Sequence, residues 1–415
     1  MNAIPGALSA RVALTPDALA PAPPRATSLL RAYRRHDSLF SSPQVQLHAR
    51  GVLETLETPA AQGLADAARA ALQRCARNVG RLPLVGAVPF DAQAPARLWI
   101  PRQAVFASGQ ARHAGHRRGG PVVLPSCGAV LARPTPSGYR DSVTAALARI
   151  DSGALAKVVL SRCLRIDARV SVPWLLERLL SRHPDGYTYA IDLAQGASAS
   201  ASLVGSSPEL LLRKRGAQVL SNPLAGSIPR AADPEEDQAR ARGLLASAKD
   251  RHEHGLVVDA VASALAPHCR KLQVPAAPSL LSTPTMWHLS TRVEGELIDA
   301  NASSLQLALD LHPTPAVCGY PTAAARRAIR ELEGYDRGLF TGLVGWSDPD
   351  GDGEWAVTIR CALIEAEAAT AYAGAGIVAG SVPQSELDET SAKLRTMLNA
   401  MGLAQVLDEA TERPS

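Results

Sequence analysis

Two short acidic patterns in this chain have the spacing that chemistry needs. In "KDRHEH" (249–254) Asp250 and Glu253 are three residues apart; in "ELDETSAKL" (386–394) Glu386 and Glu389 repeat that spacing, and Lys393 follows four residues after Glu389. On a helix, positions three or four apart share a face, so each stretch would turn a pair of carboxylates in one direction. Two such faces could hold a hard cation through oxygen. Mg²⁺ suits such a set, because it takes one or two direct carboxylates and keeps waters that outer carboxylates can orient. On spacing alone the favoured reading is ordinary surface acids, with Glu389 and Lys393 as an i,i+4 salt bridge. The histidines do not make a zinc site. A zincin needs HExxH, whereas His252 and His254 are two apart and the fourth residue after His252 is Leu256.

Two further residues have chemical possibilities of their own. Lys157 opens the apolar run "AKVVLSR" and is either a strand-end lysine reaching water or an amine whose pKa partial burial and nearby cations lower. Glu209 in "SSPELLL" is a carboxyl in apolar company, and burial would raise its pKa toward that of a working acid. Other motifs fall away. "DPDGDGEWAVTI" (348–359) begins like a calcium loop but ends on Ile359 where a bidentate Glu is required, so it reads as a hairpin turn. "GAGIVAG" (374–380) has no βαβ unit after it and is not a dinucleotide fingerprint. Neither GxxxxGK[ST] nor GxSxG occurs.

The elements that must position these residues follow from pattern. Apolar residues make up 46% of the 415, enough for a large core, and the net charge of +4 comes from interspersed charges, which gives no reason to expect nucleic acid or a membrane surface. The basic cluster Arg112–Arg118 reads as a solvated loop. Six cysteines without short pair spacing imply reduced thiols in a cytoplasm, and no apolar run approaches the ~18 residues that span a bilayer. Residues 1–26 read as a flexible N-terminus and 27–415 as one domain. The N-terminal third shows a helix over "LADAARAALQRCARNV" and no chemistry. From "TPSGYRDSVTAALARIDSG", a helix with a glycine cap, strand-like runs alternate with helices. "AQVLSNPLAG" and "EWAVTIRCALIEA" read as single strands, and "SELDETSAKLRTMLNAM" as the last helix. Hairpin-connected strands mixed with long helices predict an α+β fold, with large antiparallel β-sheets flanked by helices.

Taken in order, the motifs resemble the chorismate-utilising enzymes, the family of anthranilate synthase large chains, aminodeoxychorismate synthases, salicylate synthases and isochorismate synthases. The resemblance covers about residues 135–405 and rests on "KVVLSR" (157–162), "GSSPELLL" (205–212), "NPLAGSIPR" (222–230), "KDRHEH", "MWHLSTRVEGEL" (286–297), "LHPTPAVCGYP" (311–321), "GDGEWAVTIRCA" (351–362), "AGAGIVAGS" (373–381) and "ELDETSAKLRTML" (386–398). It implies Glu253 and Glu389 as Mg²⁺ ligands, with Asp250 and Glu386 behind them on the metal's waters. His252 and His254 become packing or hydrogen-bonding residues. Arg360 would fork the enolpyruvyl carboxylate of chorismate. Backbone amides around Gly374–Gly376 and at Gly226 would approach the substrate. Lys157 would be the base that activates water and Glu209 the acid that protonates the departing hydroxyl, while His288 and Lys393 line the pocket.

Within the family, Ala225 stands where aminodeoxychorismate synthases carry a nucleophilic lysine, which argues against that activity. "HPTPAVCGYP", with Ala316 in the pocket beside Val317 and Cys318, resembles isochorismate synthases. The expectation is therefore an isomerase, an isochorismate synthase serving siderophore or menaquinone biosynthesis, with salicylate synthase and anthranilate synthase large chain as alternatives. No amidotransferase segment is present, so an ammonia-using activity would need a partner chain. The standalone members imply a monomer.

Overall fold

The computed structural model describes residues 29, 30, 32–109, 127–194 and 201–407. The expected flexible N-terminus and the basic cluster Arg112–Arg118 lie outside them. Two large antiparallel sheets dominate. The ten-stranded sheet runs in the order Gly319–Tyr320, Lys157–Asp167, Ala368–Ile377, Cys361–Glu365, Ala201–Ser207, Tyr187–Asp192, Ser38–Ser41, Val45–Arg50 and Gln103–Ser108, with Val130–Arg133 also paired to Lys157–Asp167. The nine-stranded sheet runs Cys269–Gln273, Val293–Leu297, Gln218–Asn222, Leu210–Arg215, Gly353–Val357, Leu343–Ser347, Leu84–Val88, Arg97–Ile100 and Glu54–Leu56. A small third sheet holds Leu224–Pro229, Met286–Ser290 and Ser279–Ser282.

The large sheets pack face to face, burying Phe40, Leu47, Tyr189 and Leu203 of one against Val85, Leu210, Val344 and Trp346 of the other. Helices cover the outer faces. Leu64–Asn78 and Ser304–Leu311 pack on the nine-stranded sheet, and Val172–Arg182 and Pro383–Met401 on the ten-stranded one. This is the α+β architecture expected, with helices outside and two sheets within. The N-terminal third supplies strands to both sheets beyond the one helix legible there. Among the described residues no helix is long and apolar enough to cross a membrane, and Cys75, Cys163, Cys269, Cys318 and Cys361 are free thiols.

Two strands expected to be continuous are broken. "AQVLSNPLAG" divides at Pro223, whose missing N–H cannot join a ladder, into Gln218–Asn222 of the nine-stranded sheet and Leu224–Pro229 of the small one. "EWAVTIRCALIEA" divides into Gly353–Val357 of the nine-stranded sheet and Cys361–Glu365 of the ten-stranded one. Beside it the chain makes the reverse passage, from Ala201–Ser207 to Leu210–Arg215 across Pro208 and Glu209. The two passages lie side by side. Gly205 is opposite Cys361 and Leu210 opposite Ala356, and between them Ser206 N–H donates to Arg360 O (3.0 Å) and Val357 N–H donates to Glu209 O (3.2 Å). Arg360 makes its turn at φ 51°, in the left-handed region, a conformation that costs a non-glycine residue about 1–3 kcal/mol.

Both acidic helices are capped. Ser247 accepts from Asp250 N–H (3.2 Å) at the head of Ala248–Leu265, and Gly402 at φ 73° closes Pro383–Met401. "DPDGDG" is the turn between the paired strands Leu343–Ser347 and Gly353–Val357. "GAGIVAG" ends the strand Ala368–Ile377, antiparallel to Lys157–Asp167.

Candidate active site

A cleft of about 640 Å³, its mouth included, opens where the passages between sheets, the small sheet and the two acidic helices meet. Its wall includes Glu209, Gly226, Glu253, His288, Ala316, Arg360, Gly374, Gly376, Glu389 and Lys393, ten of the residues singled out in the sequence. Lys157, Asp250 and Glu386 are not on the wall. Lys157 reaches the site through Glu253: it is 0% exposed, and its Nζ lies 2.8 Å from Glu253 Oε1 without hydrogen-bonding geometry. Burial overturns the reading of a strand-end lysine in contact with water.

The acids are not ordinary surface acids either, since Glu253 and Glu386 are buried. The i,i+4 salt bridge does form, with Lys393 Nζ 2.5 Å from Glu389 Oε1. Lys393 also donates to Gly374 O (2.9 Å), and Ser227 Oγ donates to Glu389 Oε1 (2.9 Å). Burial alone would raise the Glu389 pKa, but Lys393 and Ser227 hold it below the ordinary value. Glu386 goes the other way, pushed up to about 7 by burial and by Glu389, although Lys249 Nζ stands 3.5 Å from it. Burial likewise raises Asp250, and Glu253 adds to the shift.

Four carboxylates therefore share one region, two of which, Asp250 and Glu386, have pKa values raised first by burial and then by a neighbouring acid. That donor set fits a hard cation. Among the described residues no three His, Cys, Asp or Glu side chains converge to hold a metal ion by themselves, so the fit is to an ion such as Mg²⁺ that takes one or two carboxylates and keeps water. His254 is no ligand: its Nε2 is 2.7 Å from Thr291 Oγ1, and burial with nearby Lys157 lowers its pKa to about 4. His252 is exposed.

Glycine at two positions has a packing reason beyond access to backbone amides. A Cβ on Gly376 would lie 2.4 Å from Glu253 Oε1 and 3.1 Å from Lys157 Cε, so its absence makes room for the ion pair. Gly226, at φ 71°, lets helix Ala248–Leu265 approach, with Asp250 Cβ 3.1 Å from where its own Cβ would be.

Glu209 is 2% exposed, and its Oε1 has no hydrogen-bond partner. Burial raises its pKa to about 7 against a backbone hydrogen bond at Leu224 and the charges of Lys157, Arg360 and Lys393. The result is a carboxyl that can carry a proton near neutrality and give it up. Arg360 is buried too, which lowers its pKa to about 10 and leaves it a cation. Its Nη2 lies 3.4 Å from His288 Nε2. Guanidinium only donates, so His288 accepts there and carries its proton on Nδ1. Burial, Arg360 and Lys393 push the His288 pKa well below its usual value, so the ring is neutral. The cleft thus combines a proton donor, fixed cations and oxygen ligands, an arrangement suited to a small polyanion.

The sequence reading missed Ser227, Thr341 and Tyr372, all on the wall. Tyr372 had a usable signal, since it lies two and four residues before Gly374 and Gly376 on one strand and so shares their face. Thr341, at φ 60°, had none.

The family model described as chorismate binding enzyme matches residues 125–402. This chain belongs to the chorismate-binding enzyme family. It is similar to isochorismate synthase DhbC of Bacillus subtilis (strain 168), 46% identical over 403 residues that cover 92% of this chain and 98% of the relative. It is also similar to isochorismate synthase EntC of Escherichia coli (strain K12), 43% identical over 330 residues, 79% of this chain and 83% of the relative. The crystal structure of DhbC from Bacillus anthracis superposes with a TM-score of 0.85 at 42% identity, covering 91% of this chain and 99% of that one.

Proposed function

We propose that this chain is an isochorismate synthase that converts chorismate reversibly to isochorismate. The observation that carries the chemistry is Glu209, a buried carboxyl on the cleft wall with an unpartnered oxygen and a pKa near 7. The similarity to DhbC and EntC over most of each chain supports the choice of reaction. Lys157, which meets the cleft through Glu253, is the base that receives a proton from the water attacking ring carbon 2. The ring double bond shifts, and Glu209 gives its proton to the hydroxyl leaving carbon 4 as water. One water enters and one departs, so the net change is an isomerisation.

Arg360 holds the enolpyruvyl carboxylate, and Lys393 adds positive charge to the wall. Glu253 and Glu389 would bind Mg²⁺ directly, with Asp250 and Glu386 on its waters. The ion's chemistry is to neutralise the carboxylates around the substrate's ring carboxylate. Ala225, on the wall, offers no amine for a covalent adduct. The product is a precursor for siderophore or menaquinone biosynthesis.

The deciding experiment is to incubate purified protein with chorismate and Mg²⁺ and couple pyruvate to lactate dehydrogenase. Chorismate and isochorismate approaching equilibrium with little pyruvate is the expected result. Stoichiometric pyruvate with salicylate fluorescence would move the assignment to salicylate synthase.

A further inference from the structure

We infer that Arg337, anchored by Glu333, is a positioning residue that holds three separate walls of the cleft in register. Arg337 is 3% exposed and not on the wall itself. Its Nε donates to Glu333 Oε2 (2.8 Å) and its Nη2 to Glu333 Oε1 (2.5 Å), a bidentate buried pair. The remaining donors reach outward. Nη1 donates to Val317 O (2.7 Å) and Thr341 Oγ1 (3.1 Å), and Nη2 to Val159 O (2.8 Å). Val159, Val317 and Thr341 all line the cleft, yet they come from a strand next to the edge of the ten-stranded sheet, the "HPTPAVCGYP" segment and a left-handed turn. Glu333 extends the hub, because its Oε1 accepts from Ser161 N–H (2.7 Å) and Oγ–H (2.8 Å), and Ser161 is directly opposite Gly374. The guanidinium is fixed from another side by the Phe90 ring, 4.6 Å from Cζ to centroid.

No other group could replace this arrangement. A guanidinium presents five donors in one plane, whereas a lysine ammonium has three on a flexible stem and cannot serve the same acceptors together. The inference rests on the reading of the cleft as a chorismate site and deepens it. If the segment at Val317 and the turn at Thr341 shift, the ring and the enolpyruvyl arm lose their fixed relation to Lys157 and Glu209. Misplacement of that order costs rate more than affinity. It also frees the arm to reach the geometry in which the product loses pyruvate.

Arg337→Lys and Glu333→Asp keep the buried charge balanced while breaking the bidentate geometry. In either variant that retains the wild-type circular dichroism spectrum, kcat should fall by ~10–100-fold. The KM for chorismate should move by less than roughly threefold, and pyruvate formed per isochorismate should rise. A purely structural role would lower Tm and leave kcat per folded molecule and the product ratio alone. A folded variant with kcat and product ratio unchanged from an active wild type overturns this inference and leaves the proposed function standing. A wild type inert toward chorismate overturns the proposed function, and this inference with it.

Discussion

Glu209→Gln should slow turnover by ~10²–10⁴-fold and at the same time stabilise the protein, in a way that depends on pH. The Glu209 pKa stands at about 7 against an ordinary 4.5, because burial outweighs the neighbouring cations. A difference of roughly 2.5 units corresponds to ~3 kcal/mol. The sign follows from linkage. With the folded pKa raised, the carboxyl's contribution is fully present below about 4.5 and is lost as pH rises through about 7, because the unfolded chain ionises freely while the folded one resists. Glutamine is neutral at every pH and escapes that loss. Near pH 5 the variant and wild type should differ by under about 1 kcal/mol, and near pH 8.5 the variant should be more stable by ~3 kcal/mol. For 415 residues, at an unfolding entropy of roughly 2 cal/mol/K per residue, that is a Tm gain of ~4 °C at the higher pH. Scanning calorimetry in chelator without substrate reads it, and an isochorismate assay on the same samples should show ~10²–10⁴-fold lower kcat. The same Tm difference at both pH values would refute the raised pKa, and near-wild-type turnover would refute the acid role.

Glu253→Gln and Glu389→Gln should each abolish Mg²⁺-dependent turnover in a folded protein, and full turnover by wild type in excess chelator would remove the metal from the proposal. Lys157→Ala should lose ~10²–10⁴-fold in kcat while still binding chorismate by calorimetry, because Arg360 is untouched. Gly376→Ala places a methyl 2.4 Å from the present position of Glu253 Oε1, so the carboxylate must move. Turnover should fall and titrated Mn²⁺ affinity should weaken together, and a variant with unchanged Mn²⁺ affinity would show that Glu253 does not hold the metal.

Helical spacing put each acidic pair on one face, as the helices at Ala248–Leu265 and Pro383–Met401 do, but spacing alone favoured surface acids, and the metal role expected of them came from the family resemblance. The roles of Arg360, His288 and Gly226 came from family resemblance alone, since nothing in a lone arginine or histidine announces a site. The break inside "EWAVTIRCALIEA" was hidden for a physical reason. Gly353–Val357 is buried at every position, so no alternation existed to be interrupted. Its counterpart at Pro208 was at least marked by a residue that cannot join a ladder. The N-terminal strands were missed because segments such as Ser38–Ser41 and Glu54–Leu56 are too short for a period to register.

Glu209 and Arg360 sit on adjoining strand crossings that hydrogen-bond to each other, with ladder pairs on either side. Their separation is therefore a property of both sheets together, and a change in one strand alone cannot retune it. Ala316 and Val317 lie outside that frame, on a connecting segment between Ser304–Leu311 and Gly319–Tyr320. The fold thus resembles a jig with one jaw, whose backbone Arg337 ties in at Val317 O and whose side chains are free to be exchanged. On the proposed function, variants selected for a new fate of the bound ring should gather on the jaw, while those that reach the crossings should lose protonation of the leaving hydroxyl by Glu209.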